Sequence, residues 1–204
     1  MDKLTSVRGV ACPLDMANVD TDQLIPSRFM SRSRAQGYGG FLLHDMRFGA
    51  QGRPRGFILD EPRYAGAKVV VARRNFGTGS SREAAVYALW DYGVRCVIAP
   101  SFGDIFSGNA VKNGLLTAVV TDIEAEALLS WLRDAAAPEL TVDLERQGVS
   151  AGPLAFTFSI DPVRRLRLLN GWDDLDLTMR YAADIATFRD ARQTTHPWAF
   201  PRGR

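Results

Sequence analysis

A β-branched run that enters a glycine turn and leaves as a helix limits what this chain can fold into more than any other feature. Lys68-Val69-Val70-Val71-Ala72 is short, apolar and β-branched, the pattern of a buried strand. Asn75-Phe76-Gly77-Thr78-Gly79-Ser80-Ser81-Arg82-Glu83-Ala84-Ala85 follows. From Ala84 to Tyr92, Val86, Leu89 and Trp90 are spaced as one helical face, and Gly93 closes the run. Gly77 and Gly79 allow positive-φ backbone. Ser80-Ser81-Arg82-Glu83 has the form of a capping box, which predicts Ser80 as N-cap and Glu83 at N3. The amides and dipole of such a turn favour an anion. Three readings fit: a capped helix and nothing more, a phosphate loop, or a catalytic serine beside an arginine that holds a carboxylate. The phosphate reading is weakened because the turn lacks a Gly-Lys-Ser/Thr ending and has Arg82 where the dinucleotide fingerprint has its third glycine.

The rest of the chain supports α/β layering. Val7 to Leu14 reads as a first strand, followed by the Asp-, Asn- and Thr-rich loop from Asn18 to Asp22. On pattern alone that loop is an Asx-type turn that satisfies its own backbone, with a carboxylate aimed into a site as the alternative. Pro26 to Ser33 reads as a short helix, Arg32 to Gly40 as a polar, glycine-rich mobile loop, and Gln51 to Pro54 as a turn. Cys96–Pro100 and Leu115–Val120 read as strands around a helix within Ser101–Val111. Asp122 to Leu132 is amphipathic, with Asp122 as the expected cap. Leu140–Leu144 and Leu154–Ile160 alternate, which predicts a hairpin with one solvated face. Asp161 caps a helix with Pro162 at its first position, and a last helix is expected over about Leu175 to Arg192. Strand, helix, strand and helix in succession imply α/β architecture.

Composition narrows the function classes. With 204 residues, 46% hydrophobic and 24% charged, the chain is an ordinary globular domain with extensions. A net charge of +2 gives no reason to invoke nucleic acid or an anionic membrane. The arginines at 164, 165 and 167, and at 53 and 55, read as solvated faces. No apolar run approaches a membrane span and no basic-then-apolar signal opens the chain, so a cytoplasmic location is expected. Cys12 and Cys96 form no CxxC pair, and two cysteines are too few for a four-iron cluster. Cys96, inside an apolar run, is expected to be buried. His44 and His196 belong to no metal-spaced motif.

Several blocks together carry a family resemblance. They are Asn18-Val19-Asp20-Thr21-Asp22-Gln23-Leu24-Ile25-Pro26, the central turn, Asp91-Tyr92-Gly93, and Ile98-Ala99-Pro100-Ser101-Phe102-Gly103-Asp104-Ile105-Phe106. Lys112-Asn113-Gly114-Leu115-Leu116, Leu168-Leu169-Asn170-Gly171-Trp172-Asp173-Asp174 and Pro197-Trp198 complete the set. In this order they resemble the small subunits of bacterial 3-isopropylmalate dehydratase, which carry the swivelling domain of the aconitase superfamily. The resemblance implies a swivelling β/β/α domain with a mixed sheet or barrel and flanking helices. It is expected to fill residues 1–204 as one domain with a C-terminal helical extension.

The family reaction removes water from a hydroxy-dicarboxylate and adds it back at the neighbouring carbon. The resemblance implies no cofactor in this chain and a [4Fe-4S] cluster on a large-subunit partner, in a heterodimer or heterotetramer. It makes Ser80 the base, acting as an alkoxide stabilised by the turn and Arg82. Ser81 and Arg82 bind a substrate carboxylate, Arg82 by a two-pronged pair, and Asp22 belongs to the site. Glu83 caps and orients. The loop around Gly37 is expected to help recognise the substrate side chain. Three positions depart from the family pattern: Thr78 for a cysteine, Ala84 for a histidine, and Ala35 for an arginine. They leave open a paralogous hydratase acting on citraconate or a methyl-substituted malate. A non-catalytic partner subunit and a nucleotide-binding module are the readings from other classes.

Overall fold

A computed structural model describes residues 1–200. The chain divides into two compact units, Met1–Gly171 and a second from Trp172 onward. The first unit contains, in order, β1 (Ser6–Leu14), α1 (Thr21–Leu24), α2 (His44–Arg47), β2 (Val69–Ala72), α3 (Ala84–Tyr92), β3 (Cys96–Ala99) and α4 (Asp104–Lys112). It continues with β4 (Leu116–Val119), α5 (Asp122–Asp134), β5 (Glu139–Asp143), β6 (Gly148–Ala151), β7 (Leu154–Thr157) and α6 (Pro162–Asn170).

The strands form one seven-stranded sheet in the order β4-β3-β2-β1-β5-β6-β7. β4, β3, β2 and β1 are parallel, and β5, β6 and β7 continue the sheet antiparallel. The split follows composition. Every residue of β2 and β3 is buried, as strands covered on both faces must be. β5 alternates between buried and more exposed residues, which leaves one face wet. One face of the parallel half packs Cys12, Val70, Ala72, Val97 and Ala99 against Ala85, Ala88 and Leu89 of α3. The other packs Ala11, Val69, Val71, Cys96 and Ile98 against Leu128, Leu129 and Leu132 of α5. Each fully buried valine or leucine contributes about 1.5–3 kcal/mol, so these layers dominate stability. The sheet also curls. Val119 donates to the Ser159 carbonyl at 3.0 Å and accepts from Ser159 at 2.7 Å, so the β4 edge meets the chain just past β7.

Four expectations change. Leu140–Leu144 and Leu154–Ile160 do not pair with each other: β6 lies between β5 and β7. Gly-Val-Ser-Ala at 148–151 is too small and short to announce itself as a strand. The cap of α5 is Thr121, not Asp122. Its Oγ1 accepts from the Glu124 amide at 3.2 Å while a Glu124 oxygen accepts from the Thr121 amide at 2.7 Å. Asp122 instead pairs with Arg74 at 3.1 Å. In the second unit, the last helix is two, α7 (Asp174–Met179) and α8 (Ala182–Thr195). The Thr178 hydroxyl donates to the Asp174 carbonyl at 2.9 Å, a back-bond that bends helices, and the break follows at Arg180 and Tyr181. Pro26 to Ser33 forms only a single 3-10 turn, Ser27–Phe29. No helix among the described residues is long and apolar enough to cross a membrane.

Gly77 has φ +72°, and a Cβ there would lie 2.2 Å from the Phe106 ring. Gly77→Ala is expected to destabilise the fold by about 2–4 kcal/mol, from left-handed strain plus overpacking. Urea unfolding measures it; a loss under about 1 kcal/mol would mean the ring yields freely. The two thiols give a second test. Burial, helped by Glu61 and Asp60, pushes Cys12 up to about 12, and burial also raises Cys96. Because the thiolate is the reactive form, neither should react with Ellman's reagent at pH 8 until denaturant is added. Prompt stoichiometric labelling of the native chain would contradict this packing.

Candidate active site

The site is built where the parallel strands end. The loops after β1, β2 and β3 lie side by side and keep exchanging backbone hydrogen bonds. Gly77 donates to the Val19 carbonyl at 2.7 Å, and Thr21 donates to the Thr78 carbonyl at 3.0 Å. On the other side, Phe76 donates to the Ser101 carbonyl at 3.0 Å and Gly103 donates to the Phe76 carbonyl at 2.9 Å. Asn18 and Asn75 both have positive φ, which asparagine tolerates better than most residues. The Asn75 side-chain amide donates to Asn18 Oδ1 at 2.9 Å. The turn from Gly77 to Ser80 is thus clamped between two neighbours. It opens on a shallow hollow of about 250 Å3 lined by Gly77, Thr78, Gly79 and Ser80 on one side and Gly103, Asp104, Ile105 and Phe106 on the other.

Ser80 and Ser81 are exposed, and Arg82 is partly buried, with 21% of its side chain exposed. The expected capping box does not form. α3 begins at Ala84, and Glu83 occupies the N-cap position without a side-chain cap. The first amide bonds of α3 go to the Arg82 and Glu83 carbonyls, and the Ser80 carbonyl accepts from the Thr21 hydroxyl at 3.0 Å, a tie to α1. The Glu83 carboxylate accepts from the Asn113 side-chain amide at 2.8 Å, which ties the start of α3 to the end of α4. Ser80 sits four residues ahead of the helix, at a bend in the turn that leads to it.

The Asn18–Asp22 loop does both things the sequence allowed. Asp20 caps α1: its Oδ1 accepts from the Gln23 amide at 2.7 Å, and Gln23 Oε1 accepts from the Asp20 amide at 2.9 Å. Asp22, 56% exposed, pairs with Arg82. So Asp22, Arg82 and the Ser80 backbone are brought together through α1. Ser80 and Thr78 face the hollow, but Ala84 does not: it is buried in the core layer under α3. Of the departures at Thr78 and Ala84, only Thr78 touches the wall of the hollow. Sequence reasoning missed the supporting residues Thr21 and Asn113. Both belong to the quoted blocks, but only the fold shows what they hold.

The arrangement offers an exposed hydroxyl, a guanidinium shaped for a carboxylate, and a carboxylate that already occupies it. Asp22 stands where an anionic ligand group would bind. A carboxylate is acceptor-only when ionised, so Asp22 cannot itself hold a second carboxylate; it can orient Arg82 or accept from a hydroxyl.

Comparison with known proteins identifies the family and the fold. The aconitase C-terminal domain family matches residues 1–122. A curated relative from Paramagnetospirillum magneticum is 44% identical over 97% of this chain and 100% of its own length. A second, from Rhodospirillum centenum, is 43% identical over 98% of this chain and 99% of its own. A third, from Bifidobacterium longum subsp. infantis, is 44% identical over 97% of this chain and 85% of its own. All three are named 3-isopropylmalate dehydratase small subunit. The fold is shared with a solved 3-isopropylmalate dehydratase from Methanocaldococcus jannaschii at a TM-score of 0.62 and 23% identity, covering 89% of this chain and 99% of that one. The chain belongs to the aconitase C-terminal domain family and, within it, to the small subunits of 3-isopropylmalate dehydratase.

Proposed function

We propose that this chain is the small subunit of a hydro-lyase that interconverts 2-isopropylmalate and 3-isopropylmalate in leucine biosynthesis. The reading rests on one observation above the rest: full-length identity of 43–44% to subunits so named. The Ser80–Arg82 turn at the sheet's carboxyl edge gives that identity a chemical content.

In this reading Ser80 is the base. Its exposed hydroxyl faces the hollow, and Arg82 lies two residues on. Closing the hollow against a partner removes water and strengthens the field of Arg82 on an alkoxide. Arg82 then holds a substrate carboxylate as a planar fork, with the Ser81 hydroxyl and neighbouring amides as further donors. Asp22 keeps the guanidinium oriented until the substrate arrives and exchanges with the substrate's carboxylate.

The chain's own donors do not fit a four-iron cluster. Cys12 and Cys96 lie in core layers on opposite faces of the sheet, and their raised pKa values keep both protonated. We therefore place the cluster, and the Lewis acid it supplies for the leaving hydroxyl, on the large subunit. The hollow beside Ser80 and the 56%-exposed Ile105 that lines it form the face we assign to that contact.

Assembled with its large subunit, the Ser80→Ala variant should lose kcat by at least about a hundredfold with the complex intact by gel filtration. Full turnover would make the turn structural only. Arg82→Lys keeps the charge and loses the fork. A charge-assisted hydrogen bond contributes about 1.5–3 kcal/mol, so kcat/KM should fall about ten- to a hundredfold. If Arg82 mattered only through its exposed partner Asp22, the loss would stay within about fivefold. Steady-state kinetics, with circular dichroism as the folding control, separates the two.

A further inference from the structure

The polar segment after α1 was expected to be mobile, yet the structure ties it to α3 at one place. Glu83, Tyr87 and Asp91 follow one another at four-residue spacing and so share one face of α3. The chain from Ser33 to Phe41 lies along that face. The Tyr38 amide donates to Asp91 Oδ2 at 3.0 Å, and Arg34 approaches Asp91 Oδ1 at 3.5 Å. The Arg34 guanidinium stacks 3.8 Å from the Tyr87 ring centre. Gly39 presses directly on the helix end: a Cβ there would lie 2.6 Å from the Tyr92 amide nitrogen.

Asp91 is oddly placed for a helix residue. It lies next to the last position of α3, where the dipole disfavours an anion. Its side chain is only 19% exposed. Nothing in the helix benefits from it; what it holds is the segment. A little over two helical turns back, the same face begins at Glu83, the residue after Arg82.

We propose that Asp91 is a positioning residue: it latches residues 33–41 to α3 and so fixes Arg34 against Tyr87 on the helix that begins beside Arg82. This deepens the function proposed above and rests on it for the link to turnover. The latch itself rests on geometry alone. The Tyr38 bond carries most of it, since the Arg34 pair is half exposed.

The test uses the full chain and its complex with the large subunit. Asp91→Ala should raise KM for 3-isopropylmalate about tenfold with kcat within about twofold. In the full chain alone, trypsin cleavage at Arg32 and Arg34 should accelerate about tenfold, because cleavage follows the population of the open segment. Gly39→Ala, which pushes the segment off the same helix end, should reproduce both effects. Asp91→Asn keeps an acceptor for the Tyr38 amide and should fall between wild type and Asp91→Ala. Unchanged cleavage in Asp91→Ala would overturn the latch. Faster cleavage with an unchanged KM would overturn its role in positioning, as would an equal fall in kcat and thermal midpoint. Full turnover in Ser80→Ala would strike the reaction assignment instead, and cleavage would still judge the latch.

Discussion

The backbone crossing of three loops at the carboxyl edge of the parallel strands is the constraint on which the rest of the structure depends. Val19, Gly77 and Gly103 meet there with no side chain between them. A Cβ at Gly103 would lie 2.5 Å from the Gly77 carbonyl oxygen, closer than real contacts permit. The hydrogen bonds that join the loops continue the sheet's own ladder past the point where β1, β2 and β3 end. The candidate site lies outside the carboxyl ends of parallel strands, where ligands bind in open α/β sheets, and the turn that carries Ser80 is held from both sides by backbone bonds.

The charges of this unit divide by burial. Arg47, only 10% exposed at its side chain, binds Asp60 through Nε at 2.9 Å and Nη2 at 2.6 Å, and donates to the Leu42 carbonyl at 3.1 Å. A buried arginine needs that full set of acceptors, and it serves the core beneath the 33–41 segment. Among the described residues, the acidic partner of Arg82 is Asp22, which is mostly in water. Such a pair contributes little to stability and is easily exchanged. The two arginines illustrate how the same side chain is structural when saturated and available when not.

Much of the fold was legible in the chain. The helix from Ala84 to Tyr92 and its Gly93 stop, the four parallel strands, and the Asp161-Pro162 helix start all follow from periodicity and end signals. At the central turn the observed partners are remote in sequence: the Thr21 hydroxyl donates to the Ser80 carbonyl, and Asn113 engages the Glu83 carboxylate that a capping box would have turned back on the Ser80 amide. Local motifs assume local partners, and at a crossing of loops the partners are remote. β6 escaped for a different reason: four small residues carry no pattern of their own and become a strand only because β5 and β7 flank them. The site was legible as residue types from family blocks. Its wiring through α1 was not.

The contact between Val119 and Ser159 separates two ideas of a module. The stretch that matches the aconitase C-terminal domain family ends at residue 122, just past β4. As a piece of architecture it is incomplete at both margins. β1, its inner boundary, leans on β5, and β4, its outer boundary, leans on Ser159. Cut at residue 122, the four parallel strands would present two unpaired edges, the condition under which sheets recruit neighbouring chains. The later antiparallel strands are therefore the hem of the matched half. What sequence comparison delimits as a unit of inheritance is, physically, a sheet that becomes self-contained only about forty residues further on.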